Sequence, residues 1–417
     1  MKNPPRVIQV DVKPYDEEQE RLLRSYSDEV SRALDRMLIS PTAIPVSEFL
    51  TYYLLHRKGR KGYRSLLEIQ TRTAAAKASL DQIVDYEGGS IYVAEGDYGL
   101  PKDVTEHIGE AIGISVVSSI YGLTGADWEP IDVPVVDGVL ARAMDFEIAA
   151  TATQIVQVET KGSAVKTNVL KSSAISKHKA SIEGKKEAIL AMGSNYPLRP
   201  AVKFGTITVV DSDHQGMARC LLVDPDATQL AEEPEIYRLL ARSTFLSHWI
   251  SVISPRSHLA AALATRLQAL LAMRDPRELA AIPLLRGNGE RFDSQLQVAS
   301  DIHSSFFAHR TRVAARPIGG VAFKVDDSQL AFIGLREDLV RAGAAQDFDN
   351  LLSYHAEPES WSGAVTCVFH VNRLREMKLP QLEELSEGSR GYRTFNLQAS
   401  LHQASSGLVL GFINVPE

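Results

Sequence analysis

The sequence predicts an α/β protein in which a short sheet lies between two regions of different character. Three observations predict this. From about residue 100 to 215 the patterns follow the order helix, strand, strand, helix, strand, which is typical of helices packed on a small sheet. The residues before this stretch have mostly helical spacing, and those after it have helices followed by strands. A length of 417 residues agrees with two or three domains.

A helical N-terminal domain is predicted over residues 1–98. Apolar residues recur at helical spacing from Leu22 to Met37, and Pro41 follows the end of this pattern. A second helix is predicted from about Ser47 (SEFLTYYLLH). A third follows the basic segment HRKGRKGYR.

The predicted core spans residues 99–215. Its first helix is DVTEHIGEAIGISVVSSIYGL, and two alternating runs, VLARAMDFEIA and QIVQVETKG, are predicted to be strands. A Lys-rich helix over residues 172–192 and a β-branched strand, VKFGTITVV, complete it.

Residues 216–417 are predicted to be helical at first and then α+β. Two amphipathic segments, EEPEIYRLLARSTFLSHWISVI and SHLAAALATRLQALLAM, precede short apolar runs such as QLAFIGL and GLVLGFINV. These patterns do not identify a fold for the region.

Composition excludes several classes of protein. With 44% hydrophobic and 23% charged residues the chain can bury a core, and two distant cysteines, Cys220 and Cys367, provide no disulfide framework. The N-terminus has no apolar signal region, and no apolar run reaches the length of a membrane span. We therefore expect a cytoplasmic protein with no membrane partner.

The net charge of −7 argues against a protein whose whole surface binds nucleic acid, but it is compatible with a local basic groove.

The two runs between Val139 and Gly162 predict a hairpin with its turn at Ala152. In this register Phe146 faces Val158 and Ile148 faces Val156, which gives one apolar face.

On the opposite face Asp145 falls across from Glu159, and Lys161 lies on the same side. Glu147 shares this face. Two carboxylates directly opposed on a hairpin repel each other, so the pair requires a cation. Carboxylate oxygens suit Mg²⁺.

Asp145, thirteen further residues and then Glu159-Thr160-Lys161, on consecutive strands between two helices, resemble the core of the PD-(D/E)XK nuclease superfamily. The resemblance covers about a quarter of the chain. It departs from the pattern at Met144, where many members have proline.

The resemblance implies a Mg²⁺ site, with Mn²⁺ as a substitute, formed by Asp145, Glu159 and the backbone carbonyl of Thr160. The ion would bind the scissile phosphate and lower the pKa of a bound water, and Lys161 would orient that water. Glu106 or Glu110 on the leading helix would complete the shell. The alternative for each of these two is an exposed helical acid.

A local excess of lysines accompanies the motif. Residues 161–186 hold seven lysines against one acid, Glu183, which is a local charge of +6. Besides Lys161, the lysines predicted to bind backbone phosphates are Lys166, Lys171, Lys177, Lys179, Lys185 and Lys186. The alternative is a solvated helix face.

A second basic patch lies in the N-terminal region, with a basic loop between helices as the alternative interpretation. Its candidate nucleic-acid ligands are Arg57, Lys58, Arg60 and Lys61.

The acid-x-Lys spacing alone is not specific. Asp11-Val12-Lys13 and Glu183-Gly184-Lys185 have the same spacing, but the first follows no paired strand and the second lies in a helical stretch. The facing Asp145 distinguishes Glu159-Thr160-Lys161.

These observations predict a Mg²⁺-dependent DNA endonuclease with a restriction-endonuclease-like core. The long flanking regions resemble restriction or phage-defence effectors, which is an analogy of organisation. The expected partner is nucleic acid, and cleavage of both strands with one metal site per chain favours a homodimer. Two alternatives remain: a nuclease gated by a regulatory protein or ligand through the C-terminal region, and an inactive nucleic-acid-binding scaffold.

Overall fold

The computed structural model describes most of the chain. The described residues are 5–55, 66–86, 88–94, 101–131, 144–165, 172–193, 201–212, 216–223, 234–255, 257–272, 278–279, 281–285, 311–313, 318–377 and 392–415. The chain divides into two compact units. Met1–Gly62 and Ala75–Arg238 form the first, and Tyr63–Ala74 and Leu239–Glu417 form the second.

This division differs from the predicted boundaries near residues 98 and 215. The N-terminal residues do not form a separate helical domain, because strand β1 (Val7–Pro14) pairs in parallel with β8 (Arg219–Val223) in the sheet of the first unit. The run VIQVDVKP, which the sequence prediction did not include as a strand, has apolar residues Ile8, Val10 and Val12 at strand spacing, and all three are buried.

The first unit has mixed α/β structure. In chain order its further elements are α1 (Glu17–Tyr26), α2 (Asp28–Ile39), β2 (Thr42–Pro45), α3 (Val46–Leu55), α4 (Leu66–Ile83), β3 (Val84–Asp85), β4 (Tyr92–Val93), α5 (Lys102–Tyr121), a 3₁₀ turn (Gly125–Trp128), β5 (Phe146–Ala150), β6 (Ile155–Val165), α6 (Ser173–Met192) and β7 (Val202–Asp211). Two of the boundaries between the units fall within helices, one within α4 and one within α7 (Pro234–Ile253).

The eight strands form one mixed sheet. Its long path runs β5, β6, β7, β8, β1, β2, and the short β3–β4 hairpin joins β7 where Tyr92 pairs with Asp211. The β5–β6 pair is antiparallel, whereas β6 and β7 are parallel and are connected through α6. The predicted order of helix, two strands, helix and strand is therefore present between α5 and β7.

The long N-terminal helix predicted around Leu22 to Met37 is two helices. Ser27 ends α1 and caps α2, since its side chain accepts a hydrogen bond from the backbone N–H of Val30. Serine favours this position because its hydroxyl satisfies an N–H that has no partner within the helix. Apolar spacing alone did not reveal the break.

Helices α5 and α6 lie on opposite faces of the sheet. A Cβ added to Gly109 of α5 would lie 2.6 Å from the backbone nitrogen of Gly162 on β6, so α5 packs directly on that strand. On the other face a Cβ added to Gly205 of β7 would lie 2.6 Å from Cγ2 of Ile182 on α6. Successive residues of β6 therefore face α5 and α6 in turn.

The second unit combines helices with a closed six-stranded barrel. Besides most of α7, its elements are α8 (His258–Ala272), β9 (Thr311–Val313), β10 (Ile318–Lys324), β11 (Gln329–Arg336), α9 (Glu337–Ala345), α10 (Phe348–Ser353), β12 (Glu359–His370), α11 (Val371–Met377), β13 (Tyr392–Gln403) and β14 (Leu408–Asn414). The predicted α+β character agrees with this arrangement. The closed sheet was not predicted.

The barrel strands follow the order β10, β11, β14, β13, β12, β9, and β9 closes the ring by pairing with β10. Apolar side chains fill the interior, among them Phe332, Phe369 and Leu401, and Met377 of α11 packs against them. Closure pairs the first and last strands of the sheet. The apolar side chains that it encloses form a separate hydrophobic core.

Within the described residues, the hydropathy and length of the helices do not match those of a membrane-crossing segment.

Candidate active site

Asp145 and Glu159, which we call the acid pair, lie opposite each other at the β5–β6 hairpin. Asp145 is the residue before β5, and Glu159 is in the middle of β6. Asp145 is 8% exposed and Glu159 is fully buried. Two carboxylates are thus held in a place where a charge without a partner would be costly.

Backbone hydrogen bonds fix the two carboxylates relative to each other. The backbone N–H of Asp145 donates to Oε2 of Glu159 at 3.1 Å. In return, Oδ2 of Asp145 accepts from the backbone N–H of Thr160 at 3.1 Å and from its hydroxyl at 3.3 Å. Each carboxylate is therefore oriented by the opposite strand.

Two lysines bring positive charge to the acid pair. Lys161, two residues after Glu159, pairs through Nζ with Oε1 of Glu159. Lys185 reaches the same place from α6, with its Nζ 2.6 Å from Oε2 of Glu159 and 3.7 Å from Oδ1 of Asp145. We call these four side chains the site cluster. Their formal charges cancel.

The hairpin register agrees with the prediction at one end and differs at the other. Phe146 pairs with Val158 as predicted. Ile148 does not pair with Val156; Ala149 does, because the register shifts by one residue between Phe146 and Ala149. An irregularity of this kind adds a residue to one strand and displaces every later pairing. Glu147 falls in this stretch, and its side chain lies outside the described part of the structure.

The predicted accessory acids lie on α5, against the other face of β6. A Cβ on Gly162 would lie 1.9 Å from the carbonyl oxygen of Thr105, so this helix abuts the strand next to Lys161. Glu110 is buried rather than an exposed helical acid, and Glu106 is half-buried. Among the described residues, no group of three or more His, Cys, Asp or Glu side chains could hold a metal ion. The structure does not bring Glu106 or Glu110 together with the acid pair.

The predicted phosphate-binding lysines of α6 do not share one environment. Lys177 is exposed. Lys179 pairs with Glu183 at 3.0 Å and lies over the ring of Tyr15. Lys186 is only 4% exposed, which does not suit contact with a nucleic-acid backbone in solvent.

The remaining predicted basic ligands lie outside the described residues. They are Lys166, Lys171, Arg57, Lys58, Arg60 and Lys61.

His178 on α6 lies beside the site cluster. Burial lowers the pKa of its imidazole, and the nearby charge of Lys161 lowers it further, although a hydrogen bond with the backbone of Gly162 acts in the opposite direction. The ring of His178 thus lies next to β6, at the residue directly after Lys161.

The position of Lys185 in the site was not foreseen, because its acid-x-Lys context lies in a helix. A usable signal was Gly205 in the β-branched run VKFGTITVV. A glycine inside a strand often marks a close approach of another element. Gly205 is the register partner of Glu159, so the helix that approaches there necessarily lies over the acid pair.

Comparisons with protein-family models, with curated proteins and with solved structures found no match.

Proposed function

We propose that this protein is a Mg²⁺-dependent nuclease that hydrolyses phosphodiester bonds, with DNA as the expected substrate and Asp145, Glu159 and Lys161 as its catalytic residues. The observation that carries the proposal is the convergence of two buried carboxylates on one cationic position. That position lies within 2.6 Å of a Glu159 oxygen and 3.7 Å of an Asp145 oxygen. The restriction-endonuclease-like core belongs to the same proposal.

The donor set suits Mg²⁺. Magnesium is bound in many phosphoryl-transfer sites by one or two carboxylates, with waters and substrate phosphates completing an octahedron. Asp145 and Glu159 would supply the carboxylates, and the backbone carbonyl of Thr160 is the third proposed ligand. The Lys185 ammonium between the two carboxylates is direct support that a cation fits there. An ion in this position supplies charge neutralisation at a phosphate and activation of water.

The chain's own residues have separate roles in this proposal. Asp145, oriented by Thr160, and Glu159, oriented by the N–H of Asp145, hold their carboxylates in place before substrate arrives. Lys161 then offers its ammonium to the negative charge that develops on the phosphate, which is a preorganised electrostatic contribution. Burial of Glu159 strengthens both interactions because it excludes water.

Lysines beside the site would bind the flanking phosphates. Lys177 is exposed on the first half of α6, and Lys179 follows it two residues later on the same helix. Each phosphate contact of this kind adds to the salt dependence of binding without adding sequence information.

The test is cleavage of a supercoiled plasmid and of labelled DNA and RNA oligonucleotides, single- and double-stranded, in Mg²⁺ or in EDTA. We expect the wild type to cleave one class of substrate only with Mg²⁺, and Glu159→Ala and Lys161→Ala to lose this activity. Wild-type cleavage that persists in both variants would refute the site.

The same assay separates the proposal from its two alternatives. A protein that binds an oligonucleotide in a gel-shift assay but never cleaves it would be an inactive scaffold. A protein that cleaves only after a cell extract or a small molecule is added would be a gated nuclease. The restriction or phage-defence role and the cytoplasmic location are parts of the proposal that a plasmid-transformation or phage-challenge assay in cells would test.

A further inference from the structure

Lys185 is a second lysine in the site, and it comes from a different element than Lys161. Its Nζ lies 2.6 Å from Glu159 Oε2 and 3.7 Å from Asp145 Oδ1, whereas Lys161 pairs with the other oxygen of Glu159. Of the two amines, the one of Lys185 therefore lies between the two carboxylates.

The fold brings Lys185 to this place through a close contact of α6 with β7. Gly205 pairs with Glu159, and Ile182 packs on Gly205 where a larger residue would not fit. Lys185 follows Ile182 by three residues and so lies on the same side of the helix. The short approach of α6 lets the side chain reach the acid pair.

The charges of the site cluster are balanced without a metal ion. Two carboxylates face two ammonium groups. A divalent ion added between the same carboxylates would leave an excess of two positive charges and would repel the amine that lies there. A bound phosphodiester removes part of this excess, because it adds negative charge at the same place.

The two lysines differ in their access to water. The side chain of Lys185 is 37% exposed, about twice the 18% of Lys161. Because the Lys185 side chain is flexible and partly exposed, its ammonium group can turn to solvent or to a phosphate with little loss of hydration.

We propose that Lys185 occupies the metal position of the metal-free protein and leaves it when a divalent ion and a phosphodiester bind together. This inference rests on the proposed function. Lys185 is then a positioning residue: it keeps the acid pair together before the reaction and couples metal binding to nucleic-acid binding. Its ammonium group then leaves the two carboxylates and pairs with the phosphate.

The test measures Mn²⁺ binding to the full chain by electron paramagnetic resonance of free Mn²⁺, without an activity readout. Lys185→Met removes the competing charge, and we expect it to bind Mn²⁺ at least about tenfold more tightly than the wild type. Lys185→Arg keeps the charge, and Lys102→Met removes an exposed lysine of α5 that has no part in the site. Both should stay within about twofold of the wild type. Thermal unfolding checks that each variant folds, and Lys185→Gln replaces Lys185→Met if that variant does not.

A phosphorothioate DNA duplex provides the second arm. It should raise the Mn²⁺ affinity of the wild type by about tenfold and that of Lys185→Met by clearly less, and Mn²⁺ should raise DNA affinity by the same factors. If Lys185→Met, or Lys185→Gln in its place, binds Mn²⁺ with the same affinity as the wild type, the proposed role of Lys185 is overturned and the proposed function stays intact. Absence of Mn²⁺ binding in all variants, with and without DNA, would overturn both.

Discussion

The sheet of the first unit and the barrel of the second unit bury different kinds of side chain. Among the described residues of the barrel strands, no Asp, Glu, Lys or Arg is buried, and the interior is filled by residues such as Phe332 and Leu401. Next to the β5–β6 hairpin, by contrast, Asp145, Glu159 and Lys203 are all buried. The barrel core is thus apolar, whereas the mostly apolar core of the first unit includes a local group of buried charged side chains.

The difference supports the proposal that the acid pair has a chemical role. Buried ion pairs contribute little to stability compared with well-packed apolar residues of similar volume, and their replacement is often neutral or stabilising. A charged cluster of this kind is therefore not needed for stability, and it agrees with the proposed functional role. The barrel interior has no such feature to explain among its described residues.

The largest expected effect is a difference in the stability lost when one buried side chain is changed in each of the two regions. Phe332→Ala should lower the free energy of unfolding by about 3–5 kcal/mol, because it removes a fully buried ring from the barrel. Glu159→Gln should cost less than about 2 kcal/mol, since both lysine partners are partly exposed and can be hydrated. Guanidinium unfolding followed by circular dichroism measures both. A larger loss for Glu159→Gln than for Phe332→Ala would remove the distinction between the two regions.

His402, a buried histidine on β13, should make the stability of the barrel region depend on pH. Burial lowers the pKa of His402 to about 4, and its ring nitrogens lie 2.9 Å from the Ser360 hydroxyl and 3.3 Å from the Ser400 hydroxyl. Below pH 6.5 the unfolded chain binds a proton at this residue and the folded chain does not, so stability falls as the pH drops from about 6.5 to about 4. The loss due to this residue is about 3 kcal/mol.

His402→Gln should lack this part of the pH dependence, which unfolding curves at about pH 7 and about pH 4.5 would reveal. An unchanged slope in the variant would show that His402 is protonated in the folded state.

A further expected stability effect compares two glycines at close contacts. An added Cβ would lie 1.9 Å from the Thr105 carbonyl oxygen at Gly162, and 2.1 Å from the Ile333 carbonyl oxygen at Gly320 of the barrel. We expect each Gly→Ala change to cost about 1–3 kcal/mol through overpacking. Only Gly162→Ala should also reduce cleavage in folded protein, because it displaces the strand next to Lys161. Equal cleavage by the two variants would mean that the contact with α5 does not position the site.

Much of the first unit could be predicted because its signals are local. Alternation in QIVQVETKG predicts β6, and residue pairing counted from a turn at Ala152 is enough to place Asp145 near Glu159. The register shift before Ala149 could not be predicted in this way, because it adds one residue without changing the apolar pattern.

Most contacts between distant parts of the chain could not be predicted from the sequence. The parallel pairing of β1 with β8 joins segments about two hundred residues apart, and no local pattern of Ile8 or Cys220 specifies the partner strand. The barrel was missed for the same reason, since closure depends on β9, a strand of three residues. The sequence predicts Lys185 only as a phosphate ligand on a basic helix. Its contact with the acid pair depends on the packing of Ile182 on Gly205, which the sequence does not specify.

The most direct test of the central claim compares two aspartates in the same sheet. Asp145→Asn removes one carboxylate of the acid pair. Asp11→Asn makes the same change in the other strand-borne acid-x-Lys, where Asp11 pairs with Lys13 at 2.8 Å. We predict that plasmid cleavage in Mg²⁺ slows by at least about a hundredfold for Asp145→Asn and by less than about twofold for Asp11→Asn. Cleavage by Asp145→Asn at the wild-type rate would contradict the account.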